Sequence, residues 1–205
     1  MIVVGGGGHA LSIAEFAGSL IEGYLANEPN PEMTGDWFGD DSKAATLASE
    51  GKKFHIAFVY SGLPVMAQRE ALINRYKSEG CRFETLIAPT AIVSPKSEIG
   101  EGSVIMQMAV INRADIGENC VVNTGAIVEH DCKVGDNTFI GPGAVIGGFT
   151  HIGRNCFIGL GARIGNNITI ADNVTVAMGA IVNKNLTEPV IYHGNPLRLY
   201  KGRSK

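Results

Sequence analysis

From Val104 to Val182 every sixth residue is valine or isoleucine: Val104, Val110, Ile116, Val122, Val128, Val134, Ile140, Ile146, Ile152, Ile158, Ile164, Ile170, Val176 and Val182. Two positions before many of these sits a small residue: Ala114, Cys120, Ala126, Cys132, Thr138, Ala144, Thr150, Cys156 and Ala162. A longer period of eighteen carries Asn119, Asn137, Asn155 and Asn173, and likewise Gly125, Gly143, Gly161 and Gly179, each glycine followed by alanine. A period of six nested in eighteen means three short strands per coil, with coils stacked into a triangular prism. The Val/Ile column points inward and fills it. Asn and Gly recur where a corner needs a left-handed backbone, which both tolerate. About five coils fit between residues 88 and 186, with the register slipping by one before Val104, where Ile99 takes the apolar role.

The first half obeys a different rule. Ile2 to Val4 reads as a short strand, and His9 to about Leu25 as a helix with Leu11, Ala14, Leu20, Ile21 and Tyr24 on its apolar side. Asn27 to Pro31 breaks it. Phe54 to Tyr60 is a buried strand. Pro64 to Gly80 is a helix whose wet face carries Arg69, Glu70, Arg75 and Lys77, and Arg82 to Ala88 is a further strand. Alternating strands and helices predict a small parallel α/β unit over residues 1–84, followed by the β-helix and a C-terminal tail over 85–205.

Net charge is −3, so a basic footprint for nucleic acid is missing. No apolar run has the length of a membrane span, and Gly5 to Gly8 interrupt any secretory leader at once. The expected location is the cytoplasm, where four cysteines do not suggest a disulfide framework. Cys120, Cys132 and Cys156 fall in the small-residue column and read as core fillers. His130 and His151 lie 21 residues apart and do not stack, so no metal site is expected.

His130 stands two residues after Val128, in a column otherwise occupied by Glu118, Thr124, Asp136, Pro142, Gly148, Arg154, Leu160 and Asn166. That column is mostly polar, which places His130 at an exposed corner, as a surface histidine or as a base. Glu129 and Asp131 flank it, and a neighbouring carboxylate raises an imidazole's basicity. A base at an accessible corner suits proton abstraction.

The opening VVGGGGHA raises the question of a nucleotide loop, since Gly5 even begins a loose G-x-G-x-x-A. A full dinucleotide fold needs two mononucleotide halves, and the β-helix occupies the space of the second. Glycines nevertheless let a backbone approach phosphate, and the following helix offers free N–H groups.

The stretch NTGAIVEHDCKVGDNTFIGPGAVIGG (Asn123 to Gly148) resembles the signature of bacterial nucleotide-amino-sugar N-acetyltransferases and of sialic-acid O-acetyltransferase-like proteins. GGGGHA at the start, GDD at Gly39 to Asp41, IAPTAIVSP at Ile87 to Pro95 and GNP-x-R at Gly194 to Arg198 extend the likeness over nearly the whole chain. The resemblance implies a Rossmann-like N-terminal domain followed by a left-handed β-helix, a homotrimer, and acetyl-CoA as co-substrate in a groove between prisms. It implies His130 as general base oriented by Asp131. Gly7, Gly8 and His9 would contact a nucleotide-sugar, with Asp40, Asp41 and Gly62 near its base or ribose and Asn123 facing the sugar. Phe139, Gly148, Leu160 and Met178 would lie along CoA, although many members have a histidine where Phe139 stands. Leu11 replaces a frequent lysine, and YSGLPVMAQRE (Tyr60 to Glu70) replaces a glycine-asparagine stretch. The implied reaction is acetylation of a 4-amino-4,6-dideoxy sugar for surface glycan synthesis. Sugar O-acetylation, a non-catalytic structural trimer and, less suited to the domain size, an NAD-dependent oxidoreductase are the alternatives.

Overall fold

A computed structural model of the chain describes residues 1–58, 63–195 and 198–199; at 63–65 and 198–199 it describes the backbone only. Gly62, and with it the end of the strand expected through Tyr60, lies outside the described residues.

The α/β unit runs β1 (Ile2–Val4), α1 (Gly8–Ala17), β2 (Gly23–Leu25), β3 (Asp36–Trp37), α2 (Ala44–Ser49), β4 (Lys53–Ile56), α3 (Leu63–Ser78) and β5 (Arg82–Phe83). Its strands form one parallel sheet in the order β3-β2-β1-β4-β5. The helix expected to reach Leu25 stops at Ala17, followed by a single 3-10 turn over Gly18–Leu20. The glycines at 18 and 23 weaken helical continuation, and Tyr24 pairs with Val3 to extend the sheet, so tertiary pairing wins over helical spacing. The buried side of α1 is Ala10, Ile13 and Ala17 rather than the expected stripe, and Leu20 is exposed. Likewise Arg82 to Ala88 is not one strand. Arg82–Phe83 closes the α/β sheet, whereas Leu86–Ile87 begins the prism.

The prism has three parallel faces. The first stacks Leu86–Ile87, Val104–Ile105, Val121–Val122, Phe139–Ile140, Phe157–Ile158 and Thr175–Val176. The second runs from Ile92–Val93 through Val110–Ile111, Ile127–Val128, Val145–Ile146 and Arg163–Ile164 to Ile181–Val182. The third carries Asp115–Ile116, Lys133–Val134, His151–Ile152 and Thr169–Ile170. From Ile116 to Val182 the predicted column is the core without exception. Before Ile116 the register differs from expectation. Val122 pairs with Ile105 and Val128 with Ile111, so Ile105 and Ile111 point inward, whereas Val104 faces the α/β unit and Val110 is half-buried on the second face. The slip therefore lies between Ile111 and Ile116, two repeats later than the sequence suggested, and that repeat holds five residues instead of six.

The corners turn through left-handed backbone. Asn119, Asn137, Asn155 and Asn173 have φ of 53, 52, 55 and 61°, and Gly125, Gly143, Gly161 and Gly179 have φ of 64–66°. A third corner column, unnoticed in the sequence, holds Arg113, Asp131, Phe149 and Asn167 at φ of 52, 58, 59 and 58°. The buried thiols of Cys120, Cys132 and Cys156 do more than fill space: each donates to a carbonyl fifteen residues on, at 3.2, 3.1 and 3.1 Å. Burial pushes the Cys120 thiol up to about 12 and the Cys156 thiol to about 11, so both stay protonated and unreactive.

The two units meet over the first face. Val3, Ala10, Ile13 and Met66 form one apolar cluster with Val104, Met106, Val121 and Phe139. Arg69, expected on the wet face of α3, is fully buried at this junction. It donates to the carbonyls of Phe58 (3.0 Å), Ile56 (3.4 Å) and Asn119 (2.6 Å), and to Asn137 Oδ1. Burial pulls its pKa down to about 10, which still leaves a cation at neutral pH. Asn137 in turn donates to Met66 O and Asn155 Oδ1, and Asn155 to Glu70. His55 lies close by, fully buried, with Nδ1 at 3.0 Å from Glu84 O.

Two outcomes follow. Ile111→Ala should cost roughly 2–5 kcal/mol in denaturant unfolding and Val110→Ala clearly less; the reverse order would refute the register. Burial, together with the charge of Arg69, holds His9 near 3 and His55 near 4, below their ordinary value of 6.5. The fold therefore holds both rings neutral. Their contribution is complete above about pH 6.5 and is lost as pH falls toward about 4, because the unfolded chain binds the extra protons, at about 1.4 kcal/mol per pH unit for each ring. Unfolding free energy measured from pH 7 to pH 5 should fall, and His55→Gln should flatten the slope; an unchanged slope would mean that His55 titrates normally.

Candidate active site

His130 sits at the corner between the second and third faces, its side chain 45% exposed. Its Nδ1 lies 2.9 Å from Asp131 Oδ2. A carboxylate only accepts, so Nδ1 carries the proton and Nε2 keeps its lone pair. The other oxygen of Asp131 accepts from Arg113 Nη2 at 3.2 Å, so the carboxylate bridges Arg113 and the imidazole. Glu129 turns instead to Asn112, whose Nδ2 donates to it at 2.9 Å.

The ring has unusual room along the prism. In the preceding coil Asn112 aligns with Glu129, and Arg113 already aligns with Asp131, as the bonds Asn112 N to Val128 O (2.9 Å) and Asp131 N to Arg113 O (3.0 Å) require. The five-residue repeat thus lacks a counterpart of His130. In the following coil that counterpart is Gly148, where a Cβ would lie 2.9 Å from Cε1 and Nε2 of the ring. Glycine is needed there because the imidazole occupies the space of a side chain. Phe149, next in sequence, packs edge to face on the ring with centroids 5.0 Å apart at 89°.

The glycine loop lies elsewhere. Gly5, at φ 115°, turns the chain out of β1, and its N–H donates to Leu25 O at 2.8 Å. Gly7 caps α1; Gly7 and Gly8 are exposed, with nothing within 4 Å of where a Cβ would stand at either. The opening turns of a helix carry unsatisfied N–H groups, so this surface suits an anionic group. The His9 side chain turns inward instead, its Nε2 buried without a partner. Asp40 accepts from Ser42 N at 2.9 Å, and Asp41 accepts from Arg75 (2.7 Å) and the Tyr76 hydroxyl (2.9 Å). With Asn27, Ser42, Arg75 and Glu79 they line a cavity of about 420 Å³. Asn123 Oδ1 accepts from Thr124 N at 2.7 Å. Asn123, Leu160 and Met178 all belong to the corner between the first and second faces, and Leu160 and Met178 are exposed there at 58% and 76%. Phe139 is 7% exposed and stacks on Phe157 at 4.8 Å, in the cluster under the α/β unit. Gly62 lies outside the described residues.

The structure therefore groups the site residues in three places: His130, Asp131 and Gly148 at one corner, Asn123, Leu160 and Met178 at another, and the glycine loop with Asp40 and Asp41 on the α/β unit. Gln107, at the corner between the first and second faces, reaches α1 through a 3.3 Å bond to Ser12 O, so α1 borders the second face on the edge opposite His130. Sequence reasoning missed Arg113, Phe149 and the seating role of Gly148. The signal for all three was the eighteen-residue spacing through Asp131, together with the short repeat before it. Among the described residues no group of three or more His, Cys, Asp or Glu is placed to hold a metal ion, and no helix is long and apolar enough to cross a membrane.

The bacterial transferase hexapeptide (six repeats) family matches residues 114–148, and the hexapeptide repeat of succinyl-transferase matches 149–184. A search among curated proteins finds no match. Among solved structures, GDP-perosamine N-acetyltransferase from Caulobacter crescentus, a histidine variant in complex with CoA and GDP-perosamine, is 28% identical; the match covers 98% of this chain and 96% of that one, with a TM-score of 0.88. The acetyltransferase domain of PglB from Neisseria gonorrhoeae in complex with acetyl coenzyme A is 29% identical over 97% of this chain and 98% of that one, at a TM-score of 0.88. WeeI from Acinetobacter baumannii shares the fold at 23% identity and a TM-score of 0.84, over 97% of this chain and 98% of that one. Joined to the repeat architecture, these likenesses show a hexapeptide-repeat, left-handed β-helix acyltransferase fold, and over nearly its whole length the chain is similar to bacterial nucleotide-amino-sugar N-acetyltransferases.

Proposed function

We propose that this chain transfers the acetyl group of acetyl-CoA to the amino group of a nucleotide-linked 4-amino-4,6-dideoxy sugar, with His130 as general base. The observation that carries this is the 2.9 Å contact between His130 Nδ1 and Asp131, which leaves Nε2 free at an exposed corner. The sugar amine attacks the thioester carbonyl carbon, forming the C–N bond. Nε2 takes the amine proton as the bond forms, and Asp131 stabilises the imidazolium. The tetrahedral oxyanion needs a donor in place. The Gly148 N–H, beside the ring, engages no carbonyl among the described residues and fits that role. Collapse breaks the C–S bond, expels CoA thiolate and returns the proton to sulfur.

Residues 1–84 serve as the nucleotide-sugar unit, with Gly7, Gly8 and the His9 backbone against the phosphates, and Asp40, Asp41 and Gly62 toward the nucleoside. Residues 85–205 serve as the acetyl-CoA unit, with Asn123 toward the sugar and Gly148, Leu160 and Met178 along CoA. Phe139 would contribute to CoA only from beneath the surface, since its ring is buried against Phe157. The assembly is a homotrimer packed through the second face. That face presents Ile92 at 67% and Ile181 at 37% exposure beside half-buried Val110, Ile127 and Val145, an apolar stripe that a partner copy would cover. His130 and the glycine loop border this face on opposite edges, so a neighbour brings the base of one copy toward the loop of the next. Acetyl-CoA as donor and a nucleotide sugar as acceptor place the reaction in the cytoplasm.

The test is CoA release from acetyl-CoA with UDP-, dTDP- and GDP-linked 4-amino-6-deoxy sugars. One panel member should support turnover, and His130→Ala should lower it by roughly 10²-fold or more. No release with any amine, but release with a sugar hydroxyl, would replace N- by O-acetylation. Gly148→Ala should also lower kcat, by at least about 10-fold, because its methyl group meets the imidazole. A Gly148→Ala enzyme with wild-type kcat would mean that the ring does not work from this position.

A further inference from the structure

Phe149 is an anomaly on two counts. Its φ is 59°, a left-handed backbone that costs a bulky side chain more than it costs Asp or Asn, and the same corner of the adjoining coils holds Asp131 and Asn167. The ring gains little burial in return, since it is 50% exposed. A large apolar ring that is neither at ease in its backbone nor buried in the core is held there for what it touches. What it touches is the His130 imidazole, edge to face at a centroid distance of 5.0 Å. The Phe149 N–H also donates to His130 O at 3.0 Å, which fixes the two residues relative to one another through the main chain.

We infer that Phe149 is a positioning residue for His130: its ring closes the side of the imidazole that Asp131 and Gly148 leave open and keeps Nε2 aimed at the acyl-transfer point. This rests on the general-base reading. Asp131 restrains the imidazole only at Nδ1, and one hydrogen bond permits rotation about its axis. Gly148 sets how close the ring approaches the following coil but supplies no side chain to grip it. The short repeat leaves His130 without a counterpart in the preceding coil. Phe149 packs its ring edge to face on the imidazole, and such a pair biases orientation by roughly 3- to 10-fold.

The decisive variant is Phe149→Asn. Asparagine suits the left-handed corner, as Asn167 shows one coil on, and the backbone bond to His130 O is kept, so the change removes only the ring. Two readouts are needed. In the free protein, the imidazole Cε1–H resonance of His130, identified by its loss in His130→Ala, should shift when the aromatic neighbour is removed. In the acetyl-transfer assay kcat should fall by about 3- to 10-fold with KM for the sugar unchanged, and Phe149→Tyr, which keeps the ring, should restore both the resonance and kcat. An unmoved resonance, or a moved resonance with wild-type kcat, overturns the proposal. A fully active His130→Ala enzyme would instead remove the general-base reading, whatever the spectra show, so the two failures are told apart.

Discussion

The axis of the prism has room for one branched aliphatic side chain per strand, and everything else in the molecule is arranged around that limit. Because each strand commits one residue inward, its partner must face out. The outward residues then give each face its own character. On the first face Val104, Val121 and Phe139 receive the α/β unit. On the second, Ile92, Val110, Ile127, Val145 and Ile181 stay apolar, interrupted by Arg163. On the third, Asp115, Lys133, His151 and Thr169 face solvent. A single repeat thus produces a docking face, an apolar face and a wet face without altering its core.

The junction between the two units is held by a charge that, among the described residues, has no carboxylate paired with it. Arg69 spends its donors on main-chain carbonyls and on Asn137. Such an arrangement is costly to bury and more costly to break, because removing the guanidinium strands several acceptors in a dry interface. Its value is geometric. The same side chain fixes the end of β4 through Ile56 and Phe58 and the corner of the prism through Asn119 and Asn137, so the α/β unit and the β-helix share one rigid reference point. The neutral histidines beside it fit this electrostatic setting, since a second cation would have no counter-charge.

The repeat was legible in the sequence because burial on the axis leaves no freedom: from Ile116 onward the periodic Val and Ile are all core. It misled only where the chain offers two aliphatics side by side. In Val104–Ile105 and Val110–Ile111 either residue satisfies the pattern, and only pairing with the next coil decides which turns inward. The exposed His130 corner was readable from the polar column around it. The burial of Arg69 was not, because a cation on a helix reads as solvent-facing until its partners, Asn119 and Asn137, are brought 50 and 68 residues back to meet it. The contact of Phe149 with His130 was also hidden, since it depends on a corner geometry that composition does not encode.

The five-residue repeat between Ile111 and Ile116 is, by the standard of the prism, a defect. Yet the missing residue is the one that would stand directly against His130, just as Gly148 withholds a side chain from the other direction. The irregularity and the glycine together carve a notch one imidazole wide into an otherwise closed corner. Whoever idealised this sequence, giving every turn its full eighteen residues and every corner a side chain, would build a more regular solid with nowhere for the ring to stand. In a molecule made by repetition, the flaw in the pattern is what gives this one ring its seat.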